Sequence, residues 1–252
     1  MTAIAQGRTR RRAALVSAMC ALAVTGLGLT GCSEDPDAGT NGVGKLAADK
    51  IQAKTRAAAA AVDAVRLSGT VVAGGKSYRL DMSLKSDGAT GSVTAEGGTF
   101  HLLRVDEELY LKADAAFWKH EDGTSDDTGS DSEAAGKLDD KYVKVPTGDP
   151  SYKKFSGFTD KDLLLDSVLT LHGSLGKDGH HEQAGVRTIR ITGDEGSGGT
   201  LDVSLEGKPY PLRLVRAGGA GTLTFSAWGK DFALQEPAES EIVDYGKELP
   251  TS

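Results

Sequence analysis

The chain has 252 residues, with 29 Lys and Arg against 36 Asp and Glu, a formal charge of −7. That balance argues against binding nucleic acid or an anionic lipid surface by charge. Its two cysteines, Cys20 and Cys32, offer no framework of disulfides, so the fold must rest on a hydrophobic core of its own.

The chain begins with Arg8, Arg10, Arg11 and Arg12, followed by an uncharged, largely apolar run from Ala13 to Thr30. Positive n-region and apolar h-region are the two parts of an export signal. Leu29-Thr30-Gly31-Cys32 closes the run as a lipobox: a leucine, two small residues that a signal peptidase can admit, and a cysteine. Residues 1–31 therefore read as a lipoprotein signal peptide, and Cys32 as the first residue of the mature chain. Its thiol would carry a diacylglyceryl group, whose two acyl chains anchor stably where one binds only marginally. The expected location is extracytoplasmic, on the outer face of the cell membrane. Thr9 to Leu15 partly resembles a twin-arginine signal, so the choice between the two export routes stays open. Cleavage removes four arginines and no acid, leaving a mature chain at −11.

Residues 32–44 are mostly Ser, Asp, Gly, Asn and Pro and read as a flexible membrane tether, with 45–252 as one domain. Lys45 to Val65 reads as a helix, with an Ala run and a stripe of Ile51, Thr55, Ala58, Val62 and Val65. After Arg66 the period becomes two. Tyr78, Leu80, Met82 and Leu84 alternate with polar residues, as do Ile189 and Ile191, then Leu201, Val203 and Leu205, then Leu223 and Phe225. Turn signals at Gly74-Gly75, Asp87-Gly88, Gly97-Gly98, Asp194 to Gly199, Gly207-Lys208 and Gly218-Gly219 separate the runs. Closely spaced strands joined this way make an antiparallel meander of about ten strands.

Between the two blocks of strands, Phe117-Trp118 opens a different region. Glu121 to Glu133 is a loop with six carboxylates, and Lys141 to Val145 is a short strand. Thr159 and Asp162 read as a capping box, with Phe158 and Leu163 as its hydrophobic staple, starting a helix from Asp160 to about Leu171. The resulting class is α+β: a curled antiparallel sheet, an incomplete β-barrel, with helices covering its concave face.

No catalytic or metal motif emerges. His180-His181-Glu182 lacks the i, i+4 helical spacing of a zinc pair and reads as a solvated turn. Leu171 to Gly176 cannot be a nucleophile elbow, because His172 stands where the first glycine is needed. The acidic run 126–131 misses the spacing of a calcium loop. The chain is expected not to be an enzyme and to need no cofactor.

With these phrases in place the chain resembles the LppX/LprG group of actinobacterial lipoproteins, which share the half-barrel of the carrier LolA. The resemblance is carried by the lipobox, by Val65 to Thr70 entering the first strand, by Leu109-Tyr110-Leu111-Lys112 before Phe117-Trp118, by Lys141 to Pro146, by Tyr210 to Leu214 and by Leu234 to Ala238. It implies a protein that carries or presents an acylated lipid or glycolipid in an apolar cavity. The lining would then be the inward residues Tyr78, Leu80, Met82, Leu84, Ile189, Ile191, Leu201, Val203, Leu205, Leu212, Leu214, Leu223 and Phe225, with Trp118 at the mouth. The alternative is a regulatory lipoprotein that meets an envelope protein through the acidic loop and holds no lipid.

Overall fold

In the computed structural model, which describes residues 35–121 and 136–244, the chain order is a short 3-10 turn, a helix, five strands, three helices flanking a sixth strand, and six further strands. The strands are β1 (Ala64–Ala73), β2 (Lys76–Lys85), β3 (Gly88–Ala95), β4 (Gly98–Val105), β5 (Glu108–Ala113), β6 (Tyr142–Val145), β7 (Leu175–Gln183), β8 (Val186–Gly193), β9 (Thr200–Ser204), β10 (Pro211–Val215), β11 (Gly221–Ser226) and β12 (Ile242–Asp244). They form one sheet in the order β12-β6-β5-β4-β3-β2-β1-β11-β10-β9-β8-β7. Every pairing is antiparallel except β12 with β6. Twelve strands replace the expected ten or so: the edge pieces β7 and β12 lack an apolar alternation to betray them, since β7 is mostly exposed and β12 has three residues.

The register lines up side chains across the whole sheet. One concave row runs Ile191, Leu201, Leu214, Leu223, Gly69, Leu80, Val93, Phe100 and Ala113, and the next runs Phe225, Leu67, Met82, Gly91, Leu102, Leu111 and Val143. Apart from the glycines these residues belong to one buried apolar cluster. The glycines stand where neighbouring atoms leave no room for a side chain: a Cβ on Gly91 would lie 2.2 Å from the Asp81 carbonyl oxygen and 2.6 Å from the Met82 sulfur.

Among the described residues, four α-helices with defined bounds cover this face: α1 (Ala48–Ala60), α2 (Ala115–Glu121), α3 (Pro150–Thr159) and α4 (Lys161–Val168). Helix α1 buries Ala48, Ile51, Thr55 and Ala59 and packs against β7, β8 and α4. It is shorter than its periodicity suggests, because Val65 is claimed by β1, where a β-branched side chain is better accommodated. Helices α2 and α3 are absent from the sequence reading. Pro150 is the first residue of α3, with Asp149 capping the helix by accepting the Ser151 N–H at 2.7 Å.

The expected capping box also shifts. Thr159 ends α3, its hydroxyl turned back to the Phe155 and Ser156 carbonyls, and Asp160 caps α4 through the Leu163 N–H at 2.9 Å. Replacing Asp160 by alanine is expected to cost about 1 kcal/mol, read as a lowered urea midpoint at unchanged slope.

The composition of 32–44 suggested a free tether, but from Asp35 to Gly44 the chain is fastened. Asn41 donates its backbone N–H to Leu205 and its side-chain amide to Ser204, Arg187 donates to the Ala38 and Gly39 carbonyls, and Val43 is buried at 3% exposure. Polar residues fix this segment through hydrogen bonds, which a hydropathy reading does not register. Cys32, the signal segment 1–31, the start of the tether and most of the acidic loop lie outside the described residues.

Candidate functional site

The concave cover does not close evenly. At one corner, Lys76 and Tyr78 from the start of β2, Ala95 to Gly97 from the β3–β4 turn, Phe100 from β4, Phe117 from α2, and Lys154, Phe155 and Phe158 from α3 enclose a cleft of about 170 Å³. Four of the six phenylalanines of the chain meet here. Phe100 lies 5.2 Å from Phe117 and 5.5 Å from Phe155, centroid to centroid, and Tyr78 lies 6.0 Å from Phe158. These tilted and edge-on arrangements are the favoured ones for aromatic rings. The interior is apolar, while Lys76, Lys154 and Glu96 are exposed at the rim.

The supports of the cleft are local. Phe155 and Phe158 are three apart on α3, so one helix face presents both. The end of α3 is held by Arg104 on β4, whose Nε and Nη2 donate to the Thr159 carbonyl at 3.3 and 3.1 Å. Behind Phe117, Trp118 packs edge-on at 5.4 Å and donates its indole N–H to the Ala113 carbonyl at 3.3 Å.

A second opening of about 330 Å³ lies between α1 and α4, lined by Arg56, Ala60, Leu163, Leu165 and Leu169, with Asp162 and Asp166 at its edge. Arg56 is paired with Asp166 across it, and Leu163 is 63% exposed. The small side chain of Ala60 leaves this space open. A wider and more open hollow of about 800 Å³ lies over β7 and β8, lined by Lys177, Asp178, Asp194 and Glu195 among others.

Of the fourteen expected lining residues, Tyr78 lines the aromatic cleft and Trp118 stands directly behind it at 8% exposure. Leu80, Met82, Leu84, Ile189, Ile191, Leu201, Val203, Leu205, Leu214, Leu223 and Phe225 lie in the core, each at most 2% exposed. Leu212 stands apart from them: it sits at a β-bulge in β10 and is half-buried. Phe100 and Phe155 went unnoticed in the sequence and Phe158 was read only as half of a hydrophobic staple, although Phe155 and Phe158 at helical spacing are a usable signal.

The histidine pair is not a turn. His180 and His181 lie within β7, His180 bonded to Asp37 at 3.1 Å and His181 to the Asp178 carbonyl at 2.9 Å. Among the described residues no group of three or more His, Cys, Asp or Glu is placed to hold a metal ion. No described helix is long and apolar enough to cross a membrane.

No protein family model matches the chain, and no curated protein is similar to it in sequence. Solved structures do match. LprF from Mycobacterium bovis is 16% identical with a TM-score of 0.51, over 76% of this chain and 97% of that one. The lipoprotein LppX from Mycobacterium tuberculosis is 16% identical with a TM-score of 0.44, over 74% and 99%. An uncharacterised conserved protein from Thermus thermophilus is 10% identical with a TM-score of 0.36, over 78% and 98%. The open curled sheet and its helical cover are those of LprF, and the protein has the LppX/LprG-type half-barrel fold.

Proposed function

We propose that this protein is an extracytoplasmic lipoprotein, anchored through a lipidated Cys32, that binds an acylated lipid and carries or presents it. The observation that carries the reading is the aromatic cleft of Tyr78, Phe100, Phe117, Phe155 and Phe158, an apolar opening at the edge of a concave face that is apolar throughout. An acyl chain enters here by its terminal methyl, and each methylene taken from water contributes roughly 0.8 kcal/mol. The core residues beneath are already packed, so a long chain is admitted only as α3 lifts away from β3 and β4, separating Phe155 from Phe100. The cleft supports binding of an apolar chain.

The test is to purify residues 33–252 without detergent and compare the native mass with extracted lipid. A stoichiometric acyl lipid is expected. Phe158→Asp, which puts a carboxylate into the cleft at a half-buried position, is expected to lower uptake of a fluorescent fatty acyl lipid at least tenfold with little change in unfolding midpoint. A clean protein mass, with no uptake of offered phospholipid or triacylglycerol, would favour the protein-binding alternative. Trp at Leu201 or Leu205 is a poor probe, since both are fully buried and overpacking there disturbs folding itself.

A further inference from the structure

The rim of the aromatic cleft carries a charge that the rest of the chain leaves unanswered. With 29 Lys and Arg against 36 Asp and Glu, a lysine of this chain has carboxylates within easy reach. Lys45, Lys85, Lys112, Lys144 and Lys161 each hold one at 2.7 to 3.0 Å. Lys76 and Lys154, both lining the cleft and both exposed, hold none among the described residues. Glu96 is the one carboxylate in the lining; it is exposed and pairs with neither lysine. The lip is therefore net positive on a net negative protein.

Backbone geometry brings the two lysines together. Lys76 and Tyr78 are two apart on β2 and share its concave face, while Lys154 and Phe158 are four apart on α3 and neighbour each other on the helix. The rings of Tyr78 and Phe158 touch, with centroids 6.0 Å apart, so one cation from the sheet and one from its cover flank the same aromatic pair. The Lys154 ammonium also lies 5.6 Å from the centre of the Phe155 ring, an attraction that keeps it at the lip. The opening between α1 and α4 has no such vacancy. Its Arg56 is already paired with Asp166, and Asp162 with Lys161.

A chain that enters the cleft by its terminal methyl leaves its head at this rim. A hydroxyl gains little from two ammonium groups, whereas a carboxylate or phosphate accepts a charge-assisted hydrogen bond from each. We propose that the cleft selects acyl chains ending in an oxyanion, carboxylate or phosphate, whose head is received by Lys76 and Lys154. The proposal rests on the reading of the cleft as an acyl-chain site and adds to it the chemistry of the head. Each exposed pair of this kind shifts an equilibrium by up to about fivefold, so two of them opposed by Glu96 give a preference of about tenfold.

The experiment uses residues 33–252, which contain every described element of the fold, loaded with the neutral dye Nile red at pH 8 and low salt. Sodium decanoate, monodecyl phosphate and decan-1-ol then compete for the cleft. A site indifferent to charge favours the alcohol, whose head is the most easily stripped of water. The two anions are instead expected to displace the dye at concentrations about tenfold lower than the alcohol. In Lys76→Gln with Lys154→Gln the ratio of anion to alcohol is expected to fall to about threefold or less. The ratio is read within each variant, so a general loss of binding cancels. Lys76→Arg with Lys154→Arg is expected to keep the ratio, and Glu96→Gln to raise it. Tighter binding of the phosphate assigns a phospholipid as the natural class, and tighter binding of decanoate a free fatty acid. A parent protein that takes all three equally, or the alcohol best, overturns the proposal and leaves the carrier reading standing. A preference that survives in the glutamine pair overturns the assignment to these lysines. A protein that takes up neither the dye nor any decyl compound overturns the carrier reading itself.

Discussion

Replacing Gly69 by valine is expected to destabilise the protein by about 3–5 kcal/mol, enough to drive much of it into aggregates on expression. Gly69 sits in the concave row between Leu223 and Leu80 with φ at 142°, a backbone conformation that side-chain-bearing residues rarely adopt. A Cβ there would lie 2.1 Å from the Thr222 carbonyl oxygen and 3.0 Å from the Leu223 Cα, so relief requires moving the backbone of β11. Strain of about one to three kcal/mol from the dihedral adds to a comparable overpacking term. The register offers no slack, because six consecutive residues of β1 pair with β11. The measurement is the urea unfolding midpoint of Gly69→Val, with Ser68→Val, whose side chain is on the opposite face of β1, as the control that retains β propensity. Equal midpoints for the two variants would show that the pairing of β1 with β11 at Gly69 accommodates a side chain.

The placement of Gly69 also explains how far the sequence could be read. Strands with alternating residues, such as Tyr78 to Leu84, announced themselves, and the glycine turns between them were each in place. From these the curled sheet follows, since a long meander with one apolar face has to bury it. What stayed hidden was information carried by partners distant in sequence. The fastening of Asp35 to Gly44 depends on Arg187, Ser204 and Leu205, more than 140 residues away, and its own composition is that of a linker. The aromatic cleft draws on β2, β3, β4, α2 and α3 at once, and Phe100 alone in β4 is indistinguishable from any core residue. Helix α3 was missed because its first residue is a proline and its Phe155 and Phe158 are spaced among Lys, Ser and Gly. Eleven of the fourteen residues expected to line a cavity are instead packed in the core, Leu212 is half-buried at a bulge, and Tyr78 lies at the edge where the helices part.

Removing Arg190 is expected to be nearly as damaging as crowding Gly69, for an electrostatic reason. Asp202 lies on the outer face of β9 with its side chain only 2% exposed, and Arg190 on β8 reaches it with Nε at 2.7 Å and Nη2 at 3.1 Å. The hydrogen bonds that Arg190 donates to the Asp202 carboxylate raise the affinity of its guanidinium for the proton above the usual arginine value, against the opposing effect of burial. Arg190 also lies 3.8 Å from Asp178, so it could keep a partner if Asp202 were lost. Asp202 has no comparable freedom, because a carboxylate enclosed by the sheet cannot turn to water. Arg190→Met is therefore expected to cost about 3 kcal/mol or more, by leaving a buried charge uncompensated. Arg190→Met combined with Asp202→Leu is expected to regain at least half of that loss, because an apolar pair of similar volume carries no desolvation cost. The adjoining strands hold Arg187, Ser204 and Leu205, the residues that fasten the N-terminal segment, so the single variant should also loosen that segment locally. Urea midpoints measure the first effect, and amide exchange at the Asn41 N–H, bonded to the Leu205 carbonyl at 2.8 Å, measures the second. If Arg190→Met unfolds within about 1 kcal/mol of the parent and Asn41 exchanges at the parent rate, the pair neither stabilises β8 and β9 nor holds the anchor segment in place.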